Sequence, residues 1–426
     1  MALICFWIWV DPAELLNNYN DHVDWEIDMK IICATNMPMV VEAFSTLGEA
    51  KILEGRDISA TDVRDADILA LRSTTKVGRD LLAGSKVRFV GTATIGTDHL
   101  DIDYFNQAGI HWCFAPGCNA NSVSEYVTAA LLTLGERHGI TLEGKTLGVI
   151  GVGNVGRRVV KKAQALGMRV LMNDPPRERS RKSGVGIQNP DPRNPGSETR
   201  DAFVSLDHVL AEADIITVHV PLTKEGIDKT YQLADANFFG KARKGLIFIN
   251  AARGPVVESP ALLSALDSGQ VSHVVLDTWE GEPVYRTDML ARVDIGTPHI
   301  AGHSFEGKVM GTVMVYREAC RFLDVPATWS HEPLMPPTLV PAITVDATGR
   351  TDEAVLREVV LKLYDIEADD GRMRDTAVAD DKIRAKSFDR LRKDYPERRE
   401  FQYTTVHLKN GTTALKAKFA GLGFRS

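Results

Sequence analysis

The chain has 426 residues, 44% of them apolar and 25% charged, the balance of a water-soluble globular protein with core enough for two or three domains. Its formal net charge of −7 excludes the basic footprint of a general nucleic-acid binder, so any anionic ligand must be met by local Arg and Lys. Five scattered cysteines (Cys5, Cys33, Cys113, Cys118, Cys320) form neither a zinc spacing nor a disulfide framework, which predicts reduced thiols in a cytoplasmic protein.

The N-terminal "MALICFWIWV" is apolar, but ten residues are too few to span a bilayer, and no basic region or cleavage site accompanies them. Residues 1–28 read as a poorly ordered extension ahead of Met29, and no later stretch predicts a membrane partner. From Met29 strands and helices alternate. "MKIICAT" is a strand, and "MVVEAFSTLG" is a helix that Gly48 would cap. "ADILALRS", "KVRFVGTAT" and "GIHWCFAP" are further short strands. After a break at Pro116–Gly117, "NANSVSEYVTAALLTLGERHG" predicts a long helix, with Ser122 and Glu125 as its capping box. A second series follows in "KTLGVIGVG", "MRVLMND", "DIITVHVP", "GLIFINAA" and "HVVLDTWE", interrupted by a polar, mobile surface insertion at about 177–200. A Pro-rich linker then leads to a tail of two strands and two helices.

This alternation predicts an α/β protein of two Rossmann-like, doubly wound parallel-sheet lobes with a small C-terminal α/β module. Residues 29–117, completed by about 306–330, would bind substrate; 118–305 would bind a dinucleotide; and 331–426 would be a dimerisation module.

"VIGVGNVGRRVV" sets Gly151, Gly153 and Gly156 between a strand and a helix, with Asn154 and Val155 in the turn. Such a turn brings a pyrophosphate onto backbone amides at the positive end of the helix. Asp174 ends the next strand, where a carboxylate accepts from a ribose hydroxyl and repels a 2′-phosphate. This predicts NAD, although Arg177 and Arg179 are of the type that holds a 2′-phosphate.

Three more strand ends carry chemistry: Arg253 in "FINAARGP", Asp277, Glu280 and Glu282 in "LDTWEGEP", and His299 in "GTPHIAGHS". Taken singly they are ordinary loop residues. Behind a dinucleotide turn they have a shared use in oxidising a 2-hydroxy acid. A histidine takes the hydroxyl proton, a guanidinium holds the carboxylate, and Glu282 orients the imidazole and favours its protonated form. Pro298 and Gly302 break any helix across His299 and His303, and no third ligand has a zinc spacing, so no metal is expected.

"GVGNVG", "NAARGP", "LDTWEGEP" and "TPHIAG" resemble the motifs of NAD-dependent D-2-hydroxyacid dehydrogenases. "RSTTKV", "FVGTATIGTDHLD", "APGCNANSVSEYV", "NDPP" and "PERREF" narrow the resemblance to a branch acting on a phosphorylated acid, and it runs from Met29 nearly to the end. It implies a homodimer joined through the C-terminal module and Arg253, Glu282 and His299 as the catalytic residues. It also implies substrate contacts at Ser73 and Thr94, and cofactor contacts at Asp174, Asp277, Gly302 and the backbone near Val220. Glu280 falls outside the catalytic register and is expected to face solvent. His303 stands where the branch has a substrate-contacting tyrosine, a departure that replaces a phenol by a shorter group of pH-dependent charge.

A phosphorylated acid carries about three negative charges and needs a second cationic site. Arg72 and Lys76 beside Ser73 are the candidates, helped by an arginine of "YPERREF" (Arg398, Arg399) from a neighbouring subunit. Two other readings compete: a dehydrogenase for another 2-hydroxy acid such as 3-phosphoglycerate, and a non-catalytic NAD(H)-sensing binding protein on the same scaffold.

Overall fold

The computed structural model describes residues 29–182 and 203–425. The N-terminal extension and most of the polar insertion lie outside them; Pro175–Lys182, leading into that insertion, is helical.

The first series of apolar runs forms β1 (Lys30–Ala34), β2 (Glu49–Leu53), β3 (Ile68–Leu71), β4 (Phe89–Thr92) and β5 (His111–Phe114). They make one parallel sheet in the order β2-β1-β3-β4-β5. Strand β2 was not foreseen: it is an edge strand whose residues stay mostly exposed, so it lacks an apolar signal. Gly48 does not cap the preceding helix, which ends at Ser45. At φ 155° it runs so close to β1 that a Cβ would lie 2.3 Å from the Met29 carbonyl oxygen.

The second series gives β6 (Thr146–Ile150), β7 (Arg169–Asn173), β8 (Ile215–Val218), β9 (Leu246–Asn250), β10 (Val271–Leu276) and the two-residue β11 (Ile295–Gly296). These form a parallel sheet in the order β11-β10-β9-β8-β6-β7. Its order reverses at β6, the switch point outside whose carboxyl ends open α/β sheets bind ligands.

Two long helices connect the lobes. Helix α1 (Ala120–His138) is buried along most of its length, and its first turn departs from the expected capping box. Asn119 is the N-cap, Ser122 Oγ donates back to the Asn119 carbonyl (2.8 Å), and the buried Glu125 accepts from Asn121 Nδ2 and Phe401 N–H. Ser122 and Glu125 thus sit inside the helix, and the glutamate fastens the C-terminal module. Helix α2 (Gly156–Ala165) follows the glycine turn. Helix α3 (Phe305–Leu323) returns to the first sheet, where Val315, Tyr316, Ala319 and Cys320 share a core with Ile31, Phe44 and Phe89.

The tail pairs β12 (Ala342–Asp346) with β13 (Thr405–Lys409) in parallel, beside helices α4 (Asp352–Leu363), α5 (Asp381–Lys393) and α6 (Thr413–Leu422). Its apolar side is closed within the chain. Val355, Val359, Phe401 and Phe419 form one core with Tyr126, Leu131 and Val159 of α1 and α2. Cys33, Cys113, Cys118 and Cys320 are buried free thiols, and among the described residues no helix is long and apolar enough to cross a membrane.

Candidate active site

The glycine turn has the geometry its spacing predicts. Gly151 sits at φ 85°, with the His219 carbonyl oxygen 2.7 Å from where a Cβ would be, and a Cβ on Gly156 would lie 2.0 Å from the Gly151 carbonyl oxygen. Neither site tolerates a side chain. Over Gly153, by contrast, a Cβ would meet nothing within 4 Å, which leaves the open approach that a pyrophosphate needs. Asn154 Oδ1 accepts from Arg157, Val155 caps α2, and Val220 packs over Gly151. Asp174 Oδ2 accepts from Val152 N–H (2.8 Å), which ties the turn to the end of β7. Arg179 is paired with Asp228, and Arg177 Nε lies 3.9 Å from Asp174 itself. Both arginines therefore face carboxylates, and the residues present fit NAD better than a cofactor bearing a 2′-phosphate.

Arg253, Glu282 and His299 rise beyond the carboxyl ends of β9, β10 and β11, three strands adjacent in the sheet. Arg253, Glu282 and His299 lie three, six and three residues beyond those strand ends, on neighbouring loops. His299 Nδ1 contacts Glu282 Oε1 at 2.5 Å. With Glu282 ionised, Nδ1 carries the proton and donates, leaving Nε2 as the nitrogen free for chemistry. Burial alone would raise the Glu282 carboxyl. The charge and hydrogen bond of His299, with Trp279 N–H donating to Oε2, outweigh burial and hold it below the usual range.

The backbone of His299 is left-handed, φ 55°, a conformation that non-glycine residues seldom adopt unless the surroundings enforce it. Asp277 enforces it. Its carboxylate, 1% exposed, accepts from Thr297 Oγ1 (2.7 Å), Ile300 N–H (2.8 Å) and Ala301 N–H (3.0 Å), and its carbonyl accepts from His299 N–H (2.7 Å). Tyr126 and Trp279 hold Thr297 from below. The Asp277 side chain is thus spent on the histidine loop rather than offered to a cofactor. Gly302 closes that loop against Asn119, whose Nδ2 lies 2.1 Å from where a Cβ would be. Glu280 does not face open solvent: half-buried, it accepts from Ser259 N–H at the start of a helix.

Arg253 reaches across the cleft. Its Nη1 donates to the Ala252 carbonyl (2.8 Å), its Nε lies 3.6 Å from the exposed Asp98, and its Nη2 sits against Gly96, 2.4 Å from where a Cβ would be. The loop after β4 that carries these contacts also carries Thr94, whose hydroxyl donates to the Gly96 carbonyl. Asp98 was not foreseen, because nothing local to it signals a partner more than 150 residues away.

The expected second cationic site is rearranged. Arg72 is half-buried and donates to the Ala93 carbonyl (3.0 Å), whereas Ser73 and Lys76 are exposed. Arg398 and Arg399 cannot serve a neighbouring subunit. Arg398 is buried, donates to the Ser122 and Ala301 carbonyls and lies 4.2 Å over the Tyr364 ring, and Arg399 is buried against Glu306 at 2.5 Å. His303 also departs from expectation. Burial, reinforced by Lys308, Arg392, Arg72 and His299, drives its pKa well below the usual histidine value, so the ring is neutral rather than switchable near pH 7. It packs edge-on against Tyr395.

His299 and His303 share no helix face, since α3 begins only at Phe305. The one cluster of three potential metal-ligating side chains among the described residues is His138, His273 and Asp294. It includes neither of those histidines and lies at the opposite end of β10.

Comparison with known proteins agrees with this geometry. Residues 121–301 match the D-isomer specific 2-hydroxyacid dehydrogenase NAD binding domain, and residues 334–423 match a domain of unknown function. D-lactate dehydrogenase from Aquifex aeolicus, solved with NAD and lactic acid, is 26% identical with a TM-score of 0.54 over 69% of this chain and 96% of its own. NAD-bound 3-phosphoglycerate dehydrogenase from Entamoeba histolytica shares the fold, with a TM-score of 0.57 over 70% of this chain and 96% of its own at 24% identity. Fold and site define an NAD-dependent D-2-hydroxyacid dehydrogenase. Within that class the chain belongs to the erythronate-4-phosphate dehydrogenase family. It is 44% identical to the Cronobacter sakazakii member over 93% of this chain and 98% of that one, and 44% identical to the Edwardsiella ictaluri member over 93% and 99%.

Proposed function

We propose that the protein oxidises the C2 hydroxyl of 4-phospho-D-erythronate, giving 2-oxo-3-hydroxy-4-phosphobutanoate. The observation that carries this reading is the His299–Glu282 pair beyond the ends of adjacent strands, with Arg253 beyond the next strand and the open glycine turn in the same sheet. The chain's near full-length likeness to erythronate-4-phosphate dehydrogenases supports the choice of substrate.

Gly151, Gly153, Asn154, Val155 and Gly156 would hold the pyrophosphate of NAD, Asp174 its ribose, and Val220 and Gly302 would line its path; the bound cofactor would supply the hydride acceptor. His299 Nε2 takes the hydroxyl proton, and Glu282 stabilises the imidazolium that forms. Arg253 holds the substrate carboxylate in bidentate fashion, exchanging its long contact with Asp98 for a better one. Ser73 and Thr94 contact the substrate from the first lobe. Closure of the two lobes excludes water from the cleft. The motif resemblance implies that the reaction serves the route to pyridoxal 5′-phosphate in the cytoplasm, by a homodimer joined through the C-terminal module. Light scattering would test the dimer.

The deciding experiment is NADH formation with 4-phospho-D-erythronate against 3-phosphoglycerate. A kcat/KM at least tenfold higher for the former supports the assignment. Preference for 3-phosphoglycerate would replace the substrate, and tight NADH binding without turnover would point to a sensor.

A further inference from the structure

Three cations converge on the substrate side of the cleft, and none of them is ion-paired with an acid among the described residues. Arg72 follows β3, Lys308 lies in the first turn of α3, and Arg392 lies in the last turn of α5. Among the described residues none of the three forms an ion pair, and the only hydrogen bond from their side chains is that of Arg72 to the Ala93 carbonyl. They act on one another and on the catalytic loop: Arg392 is felt by Arg72, His303 and Glu282, and Arg72 by Lys308. Two carboxylates act on the cluster without pairing with it: Glu397 partly offsets the charge on Lys308, and Glu282 interacts with Arg392.

Two buried nitrogens in this cluster have no hydrogen-bond partner, Arg392 Nε and His303 Nδ1. An orphaned buried donor costs free energy, and like charges held together without a counter-ion cost more, so such an arrangement persists where an anion completes it. Helix α5 is held at this position by the first lobe: Asp389 pairs with Arg56 (3.0 Å) and Lys393 lies 3.7 Å from Glu54. Tyr395, just beyond the helix, packs on the His303 ring. The C-terminal module therefore reaches the cleft of its own chain.

We infer that Lys308 and Arg392, with Arg72 and His303, form the cradle for the substrate's phosphate, and that the C-terminal module thereby completes the active site in cis. This rests on the proposed substrate. Three cations against a phosphate of charge about −1.5 to −2 leave the occupied site with a residual charge of only about +1 to +1.5. They stand on the His303 side, whereas Arg253 remains free for the carboxylate, so the two ends of the substrate are read by different elements.

The test compares 4-phospho-D-erythronate with unphosphorylated D-erythronate, using the full-length chain and the variants Arg392→Gln, Lys308→Met and Arg392→Lys. Each neutral substitution should lower the ratio of kcat/KM values, phosphorylated over unphosphorylated, by about 10–100-fold, and Arg392→Lys should recover part of it. A ratio within twofold of wild type in both neutral variants overturns the cradle. Inorganic phosphate supplies a second readout on wild-type protein. It should inhibit competitively against 4-phospho-D-erythronate, and failure to compete would equally refute the site. If the wild type itself showed no preference for the phosphorylated acid, the substrate assignment would fall first, a result visible before any variant is made.

Discussion

Replacing Glu282 by Gln isolates the electrostatic part of the proposed catalysis. The amide oxygen still accepts from His299 Nδ1, so the ring keeps its tautomer and orientation, but the charge behind it is gone. With the two groups in contact at 2.5 Å, the charge centres are about 4 Å apart, worth about 4 kcal/mol at an effective dielectric of about 20. Both side chains are about a quarter exposed, at 28% and 24%, so solvent screening removes roughly half. The remaining ~2 kcal/mol predicts a chemical step about 30-fold slower. Single-turnover NADH formation at saturating substrate measures this step without product release. A rate within threefold of wild type would refute the claim that this carboxylate stabilises the imidazolium. The pair also has a stability signature of fixed sign. Glu282 is depressed in the folded state, so its contribution is present above the unfolded glutamate pKa and lost as pH falls through the folded value. The Gln variant should be less stable than wild type at pH 7, and the gap should close in acid.

Three other perturbations have defined outcomes. Asp277→Asn sets an amide against one or more of three buried donors and should cost about 2–4 kcal/mol with a loss of kcat, read by denaturant unfolding and turnover; unchanged stability would show that the loop is held otherwise. Gly153→Val fills open space without a clash, so the fold should survive while NAD affinity falls at least tenfold by fluorescence titration; unaltered affinity would move the pyrophosphate elsewhere. Burial and neighbouring Arg72 and Arg398 pull Lys308 down to about 8. The amine is cationic below that value and neutral above it, so KM for the phosphorylated acid should rise as pH passes upward through about 8, and a flat profile in that range would remove Lys308 from binding.

The glycine turn and the three strand ends proposed to carry the chemistry are legible in the sequence because each is a local pattern set by spacing along one strand–loop unit. What escaped depended on contacts distant in sequence. Arg392 lies in a helix too polar to show an apolar face, and its importance comes from Arg72, 320 positions earlier in the chain. Lys308 carries no sequence signal of its own, since nothing near it in the chain marks it off from a surface lysine. The pair Arg398–Arg399 misled in the opposite sense: adjacent arginines suggest a solvated patch, yet buried carbonyls and Glu306 absorb both. Ser122 and Glu125 matched a capping box in spacing, but the helix starts at Ala120, so the two fall within it.

The account depends most on His299 being the proton acceptor. Its direct test is the single-turnover rate of His299→Ala with NAD and 4-phospho-D-erythronate, after binding of both has been verified by titration. The account predicts a chemical step slower by about 10²–10⁴-fold, with binding retained. Turnover close to that of the wild type would contradict it.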